Sequence, residues 1–251
     1  MKAMVFAAGL GQRLQRLTES VPKALVHVAG RPMIDYPLLL LRHYDIREII
    51  INLHHLGDQI EAYLGDGTNL GLQISYSKEE ELLDTGGGLL KAKPFLREGP
   101  FVVINTDVLI DLPLHKLIAF HEEKQATATL VLRADARADQ FGSMEIEPDG
   151  RIGRFLHATR PNSPQDSGTK LMFTGVQIVD PRVFDYMPTE GGSQKFGTTK
   201  HTYPRMLVEG ERLYGFHFEG FWQDLGTADR IREAEESLIN GRARLHYLSS
   251  A

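Results

Sequence analysis

Residues 3–23 read AMVFAAGLGQRLQRLTESVPK, an apolar strand followed by a glycine-rich loop and a Pro-Lys pair. Gly9 and Gly11 have no side chains, so their backbone N–H groups can approach anionic oxygens closely. Arg13 adds a planar guanidinium that matches phosphate oxygens, and Lys23 adds a mobile point charge. This combination predicts a loop that binds polyphosphates.

Composition narrows the class of protein. The chain has 251 residues, no cysteine and a formal net charge of −5. Its basic residues are scattered, which argues against a nucleic-acid partner, and no apolar run approaches the ~20 residues that span a bilayer. The lack of cysteine suits the cytoplasm. We therefore expect a soluble, cytoplasmic protein with one domain over 1–251, and a homo-oligomer stays possible.

Beyond the loop, apolar runs of strand length alternate with helical patterns. The pattern predicts strands at 3–7, 48–53, 72–77, 101–105 and 127–133, and helices at 33–44, 57–64, 87–96 and 114–124. Such alternation is typical of an α/β fold with a doubly wound, mostly parallel sheet and helices on both faces. We expect 1–135 to form the nucleotide-binding part of the domain.

After residue 135 the regular alternation of strands and helices ends. Residues 143–147 and 151–157 flank the turn sequence Pro-Asp-Gly and predict a hairpin. Further strands are predicted at 171–179 and 213–218, and helices at 201–209 and 228–240. Residues 136–251 are therefore expected to form a mixed lobe that closes over a ligand.

Three further clusters carry chemistry. Asn105 and Asp107 lie at the carboxyl end of the strand at 101–105, where open α/β sheets bind their ligands. Asp224 follows an aromatic segment and precedes a helix, so the two aspartates could clamp one hard cation such as Mg²⁺. Residues 84–88, Asp-Thr-Gly-Gly-Gly, open a helix, where free N–H groups could receive a ribose or a base.

Each motif also has a purely structural interpretation. Gly9 and Gly11 could form a plain tight turn, and without a third glycine at the dinucleotide spacing they do not predict an NAD site. Asp107 and Asp224 could be helix caps. Glu79 begins an acidic run at 79–81, which is typical of a solvated loop.

Together the motifs resemble the sugar-1-phosphate nucleotidyltransferases, or nucleotide-sugar pyrophosphorylases, over nearly the whole chain. The family's Ala-Gly-Gly-x-Gly-x-Arg loop and Pro-Lys pair correspond to 8–13 and 22–23, and its Glu-Thr-Gly-Gly-Gly segment to 84–88. The chain is similar to the short N-acetylmuramate-1-phosphate uridylyltransferases and to mannose- and heptose-1-phosphate guanylyltransferases. The resemblance implies Mg²⁺-dependent nucleotidyl transfer from GTP or UTP to a sugar 1-phosphate.

The resemblance also implies roles for individual residues. The nucleotide-binding residues would be Ala8, Gly9, Gly11, Glu79, Thr85, Gly86 and Asn105, with Glu79 reading the base. The catalytic residues would be Arg13, Lys23 and Asp107, and the metal ligands Asp107 and Asp224. In the lobe at 136–251 the sugar phosphate would be bound by Gly142, Arg160, Thr174 and Gly175, with Arg160 replacing a lysine of the family.

The reaction itself needs no general base, because a sugar 1-phosphate with a second pKa of about 6 is already a dianion. The site must instead align two polyanions and reduce their repulsion. GTP and UTP both stay open: a carboxylate at Glu79 suits the paired donors of guanine, whereas 84–88 resembles the uridylyltransferases. A catalytically silent regulatory homologue that binds an NDP-sugar, and a cytidylyltransferase, are the alternative functions.

Overall fold

The computed structural model describes residues 1–135, 138, 143–164, 169–188 and 195–248. The chain divides into two compact units. The first comprises Met1–Leu82, Ile104–Leu112 and Gly220–Ala251, and the second comprises Leu83–Val103 and Pro113–Glu219. Both units are assembled from segments far apart in sequence, so their boundaries do not coincide with the division predicted at residue 135. The assignment of 1–135 to the nucleotide and 136–251 to the sugar stays a prediction.

The strands are β1 (Lys2–Phe6), β2 (His27–Val28), β3 (Arg31–Pro32), β4 (Glu48–Leu53), β5 (Gln73–Lys78), β6 (Phe101–Asn105), β7 (Val108–Ile110), β8 (Ala128–Arg133), β9 (Met144–Ile146), β10 (Ile152–Phe155), β11 (Ala158–Thr159), β12 (Thr169–Val179), β13 (Leu213–His217) and β14 (Trp222–Asp224). The helices are α1 (Asp35–His43), α2 (Gly57–Leu64), α3 (Asp84–Lys91), α4 (Lys93–Leu96), α5 (Leu114–Glu123), α6 (Tyr203–Val208) and α7 (Ala228–Ile239). Short 3₁₀ segments include Gln12–Thr18 and Lys23–Leu25. Among the described residues, no helix has both the length and the apolar character needed to cross a membrane.

The first unit is built on a parallel sheet. β1 pairs with β4, with Ala3 opposite Ile49, and β4 pairs with β5, with Ile49 opposite Ile74. β4 is buried from Ile49 to Leu53, which explains its nearly continuous apolar sequence. Because the three strands are parallel, their carboxyl ends lie along one edge of the sheet.

Two short antiparallel pairs complete the first unit. β2 pairs with β3, and β7 pairs with β14, where Trp222 lies opposite Ile110 and Asp224 opposite Val108. The hydroxyl of Thr227 accepts the backbone N–H of Arg230 at 3.4 Å and so caps α7. The helix α7 therefore begins directly after this cap, at Ala228.

The second unit has a mixed sheet. β8 pairs in parallel with β13 and antiparallel with β12, while β9 pairs antiparallel with β12 and β10. The long strand β12 changes partner along its length, from β9 at Leu171 to β8 at Met172. Its register with β8 shifts between Phe173 and Gln177, where Gly175 has a φ of +88°. A positive φ is accessible to glycine without strain, so Gly175 allows the irregularity.

The predicted α/β architecture with a parallel sheet and a mixed part is confirmed. The first five predicted strands agree with β1, β4, β5, β6 and β8 to within one residue. The helix predicted at 33–44 begins at Asp35, and the helix predicted at 87–96 starts earlier, at Asp84, and is divided at Ala92. Pro94, which has no N–H to donate, lies in the first turn after this division.

Candidate active site

The glycine-rich loop leaves the end of β1 and turns back sharply at Gly11. Gly11 has a φ of +67°, and an added Cβ would lie 2.8 Å from Cγ2 of Thr18 and 3.0 Å from Cβ of Lys23. The hydroxyl of Thr18 donates to the Gly11 carbonyl at 3.1 Å. Leu14 is buried and anchors the 3₁₀ segment that follows. Glycine is therefore required at residue 11 by both conformation and space.

An open cleft of about 390 Å³ lies against this loop. Its lining comes from residues of the first unit: Leu10, Gly11, Gln12, Arg13, Lys23, Leu82 and Gly226. The volume falls in the usual range of about 300–1,000 Å³ for sites of small molecules. The structure thus brings the predicted residues Gly11, Arg13 and Lys23 to one cleft. Ala8, which precedes the two glycines in sequence, is buried.

Lys23 and Asp107 form an ion pair at this cleft, although they are 84 residues apart in sequence. Lys23 opens the 3₁₀ segment Lys23–Leu25, and Asp107 lies between β6 and β7. Their side chains are 15% and 22% exposed, so the pair is partly shielded from water. The Lys23 ammonium is therefore fixed at the wall of the cleft by the carboxylate of Asp107.

Asp224 lies beside Asp107 because β14 pairs with β7. The N–H of Leu225, next to Asp224, donates to the Asp107 carbonyl at 2.9 Å, so the segments that carry the two aspartates are hydrogen-bonded to each other. Asp224 forms an ion pair with Arg230 and accepts the Gly226 N–H at 3.1 Å. A Cβ at Gly226 would lie 2.6 Å from the guanidinium of Arg13, so this glycine makes room for Arg13.

The two aspartates fit a hard divalent cation. Mg²⁺ is commonly bound by one or two carboxylates together with substrate phosphates, and it does not need a cage made only of protein ligands. No cluster of three or more His, Cys, Asp or Glu occurs among the residues that the structure describes.

Glu79 is buried, unlike the exposed Glu80 and Glu81 that follow it. One carboxylate oxygen, Oε1, accepts a hydrogen bond from Nδ2 of Asn52 at 2.8 Å, and Oδ1 of Asn52 accepts the N–H of Ala7 at 2.9 Å. The acidic run is thus solvated only at its second and third residues. A burial of this kind is possible because the carboxylate is hydrogen-bonded.

Residues 84–88 open α3 as predicted, but their N–H groups are used within the second unit. The N–H groups of Gly86 and Gly87 donate to the Phe196 carbonyl at 2.8 and 3.2 Å. The hydroxyl of Thr85 accepts the N–H of Thr198 at 3.0 Å. A Cβ at Gly86 would lie 2.3 Å from the Phe196 ring. Gly86 is therefore needed for close packing against Phe196.

The predicted sugar-phosphate residues Arg160, Thr174 and Gly175 belong to the second unit. Arg160 donates to Oε1 of Glu147 at 2.6 Å, which also accepts the Ser163 hydroxyl at 2.8 Å. Thr174 is buried and donates to the Val131 carbonyl at 2.8 Å. Gly142 lies outside the described residues.

Two residues in contact with the candidate site were not predicted from the sequence. Asn52 could have been found from the sequence, because it is the single amide in an apolar strand. A buried amide requires hydrogen-bond partners, so it indicates a polar contact inside the protein. Arg230 had none, because an arginine in the first turn of a helix resembles any surface charge.

Comparison with known proteins identifies the family. The model of the family described as nucleotidyl transferase matches residues 2–241, so the chain belongs to the nucleotidyl transferase family. The chain is 36% identical over 236 residues to the N-acetylmuramate alpha-1-phosphate uridylyltransferase of Neisseria meningitidis serogroup B, with 94% of this chain and 97% of that protein covered.

Other relatives are longer than this chain. The UTP–glucose-1-phosphate uridylyltransferase of a Synechocystis strain is 31% identical over 253 residues, with 96% of this chain and 64% of that protein covered. The mannose-1-phosphate guanylyltransferase of Mycobacterium tuberculosis is 31% identical over 242 residues, with 96% of this chain and 65% of that protein covered. The chain thus spans just under two thirds of these two relatives.

Solved structures share the fold. A glucose-1-phosphate thymidylyltransferase, named as putative, from Bacillus anthracis superimposes with a TM-score of 0.80 at 23% identity, covering 94% of each chain. HddC from Yersinia pseudotuberculosis in complex with GMP-PN gives a TM-score of 0.75 at 21% identity, covering 94% of this chain and 99% of that one. At these identities the likeness is one of fold.

Proposed function

We propose that the protein catalyses Mg²⁺-dependent transfer of a nucleotidyl group from a nucleoside triphosphate to a sugar 1-phosphate, with release of pyrophosphate. The observation that carries the proposal is the cleft at the glycine-rich loop, where Arg13 and Lys23 lie beside the neighbouring aspartates Asp107 and Asp224. Cations and paired carboxylates at one cleft are what phosphoryl-transfer sites use. Membership of the nucleotidyl transferase family supports this reaction class.

In this reaction an oxygen of the sugar phosphate attacks the α-phosphorus of the triphosphate. The new O–P bond forms as the bond from the α-phosphorus to the bridging oxygen breaks, and pyrophosphate leaves with the electron pair. N–H groups at Gly9 and Gly11, with the Arg13 guanidinium, bind the triphosphate. The Lys23 ammonium balances charge on the reacting phosphates.

The charge balance of the cleft supports a metal ion. Lys23 is paired with Asp107 and Arg230 with Asp224, so these cations are already neutralised by carboxylates. Two polyanionic substrates bring far more negative charge than Arg13 offsets. Asp107 and Asp224 would hold Mg²⁺, which would supply positive charge to the phosphate oxygens. The Lys23 ammonium would then also face the substrate anions.

The first substrate pair that we propose is UTP with N-acetylmuramate 1-phosphate. The support is that the N-acetylmuramate alpha-1-phosphate uridylyltransferase of Neisseria meningitidis is 36% identical to this chain, whereas the glucose-1-phosphate and mannose-1-phosphate relatives are each 31% identical.

GTP with mannose 1-phosphate is the second candidate. It is favoured by Glu79, because an ionised carboxylate only accepts hydrogen bonds and guanine presents two adjacent donors on one edge. The burial of Glu79 and its hydrogen bond from Asn52 support a fixed carboxylate there.

Pyrophosphate release from ATP, CTP, GTP and UTP, each combined with a panel of sugar 1-phosphates, tests the reaction and the base together. We expect turnover with UTP or GTP and a single preferred sugar. Turnover with CTP alone would identify a cytidylyltransferase. Tight NDP-sugar binding without any turnover would identify a regulatory homologue and contradict the proposal.

Asp107→Asn tests the metal assignment. The substitution keeps the shape of the side chain but removes its charge, so kcat should fall by at least about 100-fold, as for loss of one preorganised transition-state contact. Binding of Mn²⁺ in the presence of nucleotide, followed by electron paramagnetic resonance, should weaken in parallel. Asp58→Asn is the matched control, since Asp58 is 97% exposed on α2. Wild-type turnover in Asp107→Asn would overturn the assignment.

A further inference from the structure

Asn52 joins two segments to which the proposed function gives separate tasks. It lies near the end of β4 and is only 3% exposed. Its Oδ1 accepts the N–H of Ala7, where the glycine-rich loop begins, and its Nδ2 donates to Glu79, just after β5. Because β4 pairs with both β1 and β5, one side chain reaches both segments.

The directions of these two hydrogen bonds are fixed by chemistry. A backbone N–H can only donate, so the oxygen of the Asn52 amide must face Ala7 and its NH₂ group must face Glu79. The oxygen of Glu79 that faces Asn52 is therefore an acceptor. The N–H of Ala7 thus sets the orientation of the Asn52 amide. With this orientation, the NH₂ group of Asn52 donates to the oxygen of Glu79.

The backbone of Glu79 is held at the same edge of the sheet. Its N–H donates to the Leu53 carbonyl at 2.7 Å, and its carbonyl oxygen lies 3.0 Å from Nδ1 of His54. With the main chain tied to the end of β4 and the side chain 6% exposed, the carboxylate has little freedom to turn. Asn52 thus holds the Glu79 carboxylate in one orientation.

We propose that Asn52 is a positioning residue for nucleobase selection: by binding one oxygen of Glu79, it fixes the orientation in which the Glu79 side chain faces the base. This proposal rests on the proposed function, with Glu79 as the base-reading residue. It also links base recognition to the start of the triphosphate loop at Ala7. A merely structural amide would affect stability alone.

The test exchanges the hydrogen-bond directions. In Glu79→Gln, the introduced amide accepts from Asn52 with its oxygen, so its NH₂ group is offered to the base. In the double variant Asn52→Asp/Glu79→Gln, the introduced carboxylate accepts from Ala7 and from the introduced NH₂ group. The amide oxygen is then offered to the base, as a carboxylate oxygen is in the parent protein.

The readout is the ratio of kcat/KM for the preferred nucleoside triphosphate to that for the second-best one. We expect Glu79→Gln to lower this ratio by about tenfold, the effect of one mismatched donor or acceptor in a buried site. The double variant should return to within about threefold of the parent ratio. Asn69→Asp, on an exposed segment, is the control for the substitution itself and should leave the ratio unchanged.

A double variant that keeps the ratio of Glu79→Gln overturns the inference. If the double variant does not fold, Asn52→Ala decides, because it removes both contacts without introducing a charge. A lower ratio in folded Asn52→Ala supports the inference, and an unchanged ratio with a lower melting temperature overturns it. Failure of the proposed function is recognised separately, since the parent protein would then show no turnover with any nucleoside triphosphate.

Discussion

Gly11→Ala is the substitution that tests the architecture of the glycine-rich loop most directly. Gly11 has a φ of +67° and precedes the 3₁₀ segment Gln12–Thr18. An added Cβ would lie 2.8 Å from Cγ2 of Thr18 and 3.0 Å from Cβ of Lys23. Both neighbours would have to move, and Lys23 holds the ion pair with Asp107. The substitution should therefore reduce both stability and nucleotide binding.

The magnitude follows from two separate costs. A left-handed backbone costs an alanine about 1–2 kcal/mol relative to a right-handed one. Crowding of a packed site adds about 1–3 kcal/mol. Gly30→Ala is the matched control, because Gly30 has a φ of +78° but no heavy atom within 4 Å of the added Cβ. Gly11→Ala should thus lose about 1–3 kcal/mol more unfolding free energy than Gly30→Ala.

Trp222 provides the assay. It is the only tryptophan of the chain and belongs to the same compact unit as Gly11 and Gly30, so its fluorescence follows urea unfolding of that unit. We expect a lower urea midpoint for Gly11→Ala than for Gly30→Ala, and a raised KM for the nucleoside triphosphate only in Gly11→Ala. Equal midpoints for the two variants would refute the argument that Thr18 and Lys23 enclose the glycine.

Two predictions concern the second unit. Burial lowers the pKa of His121 from 6.5 to about 4. Between pH 4 and pH 6.5 the unfolded chain therefore binds more protons than the folded one. The free energy of unfolding should rise with pH in this range, by up to about 1.4 kcal/mol per pH unit. His121→Asn should flatten the urea-midpoint profile below pH 6.5, and His115→Asn on the same helix should not; a profile unchanged in His121→Asn would contradict the assignment. Gly86→Ala would put Cβ 2.3 Å from the Phe196 ring, so we expect a loss of about 2 kcal/mol or more in urea unfolding, whereas Gly99→Ala, with no atom within 4 Å, should be neutral. Equal stability of these two glycine variants would exclude the tight packing of α3.

The elements that the sequence predicted well are those that bury a continuous apolar run. β4 and β6 have their predicted bounds because a strand buried on both faces is apolar throughout and ends where polar residues begin. The turn at Gly11 was also predictable from the sequence, because a positive φ favours glycine. Phosphate binding by the loop stays a prediction.

The elements that escaped prediction are short and depend on distant partners. β7 and β14 have three residues each, which is too few for a periodic pattern. Their pairing nevertheless sets Asp224 beside Asp107, across more than a hundred residues of chain. The sequence proposed Asp107 and Asp224 as metal ligands, which stays a prediction, whereas the pairing that brings their segments together follows from the packing of the first unit.

Arg160 shows how a residue type can be predicted while its partners are not. Replacement of a phosphate-binding lysine by arginine preserves the charge, but here that charge is matched by Glu147, and the two side chains are 13% and 15% exposed. A partly buried carboxylate at hydrogen-bond distance cancels most of the field that a second anion would feel. If Arg160 binds the sugar phosphate, it must do so through the geometry of its N–H groups, or Glu147 must first turn away. In either case the strength of binding depends on Glu147 as much as on Arg160.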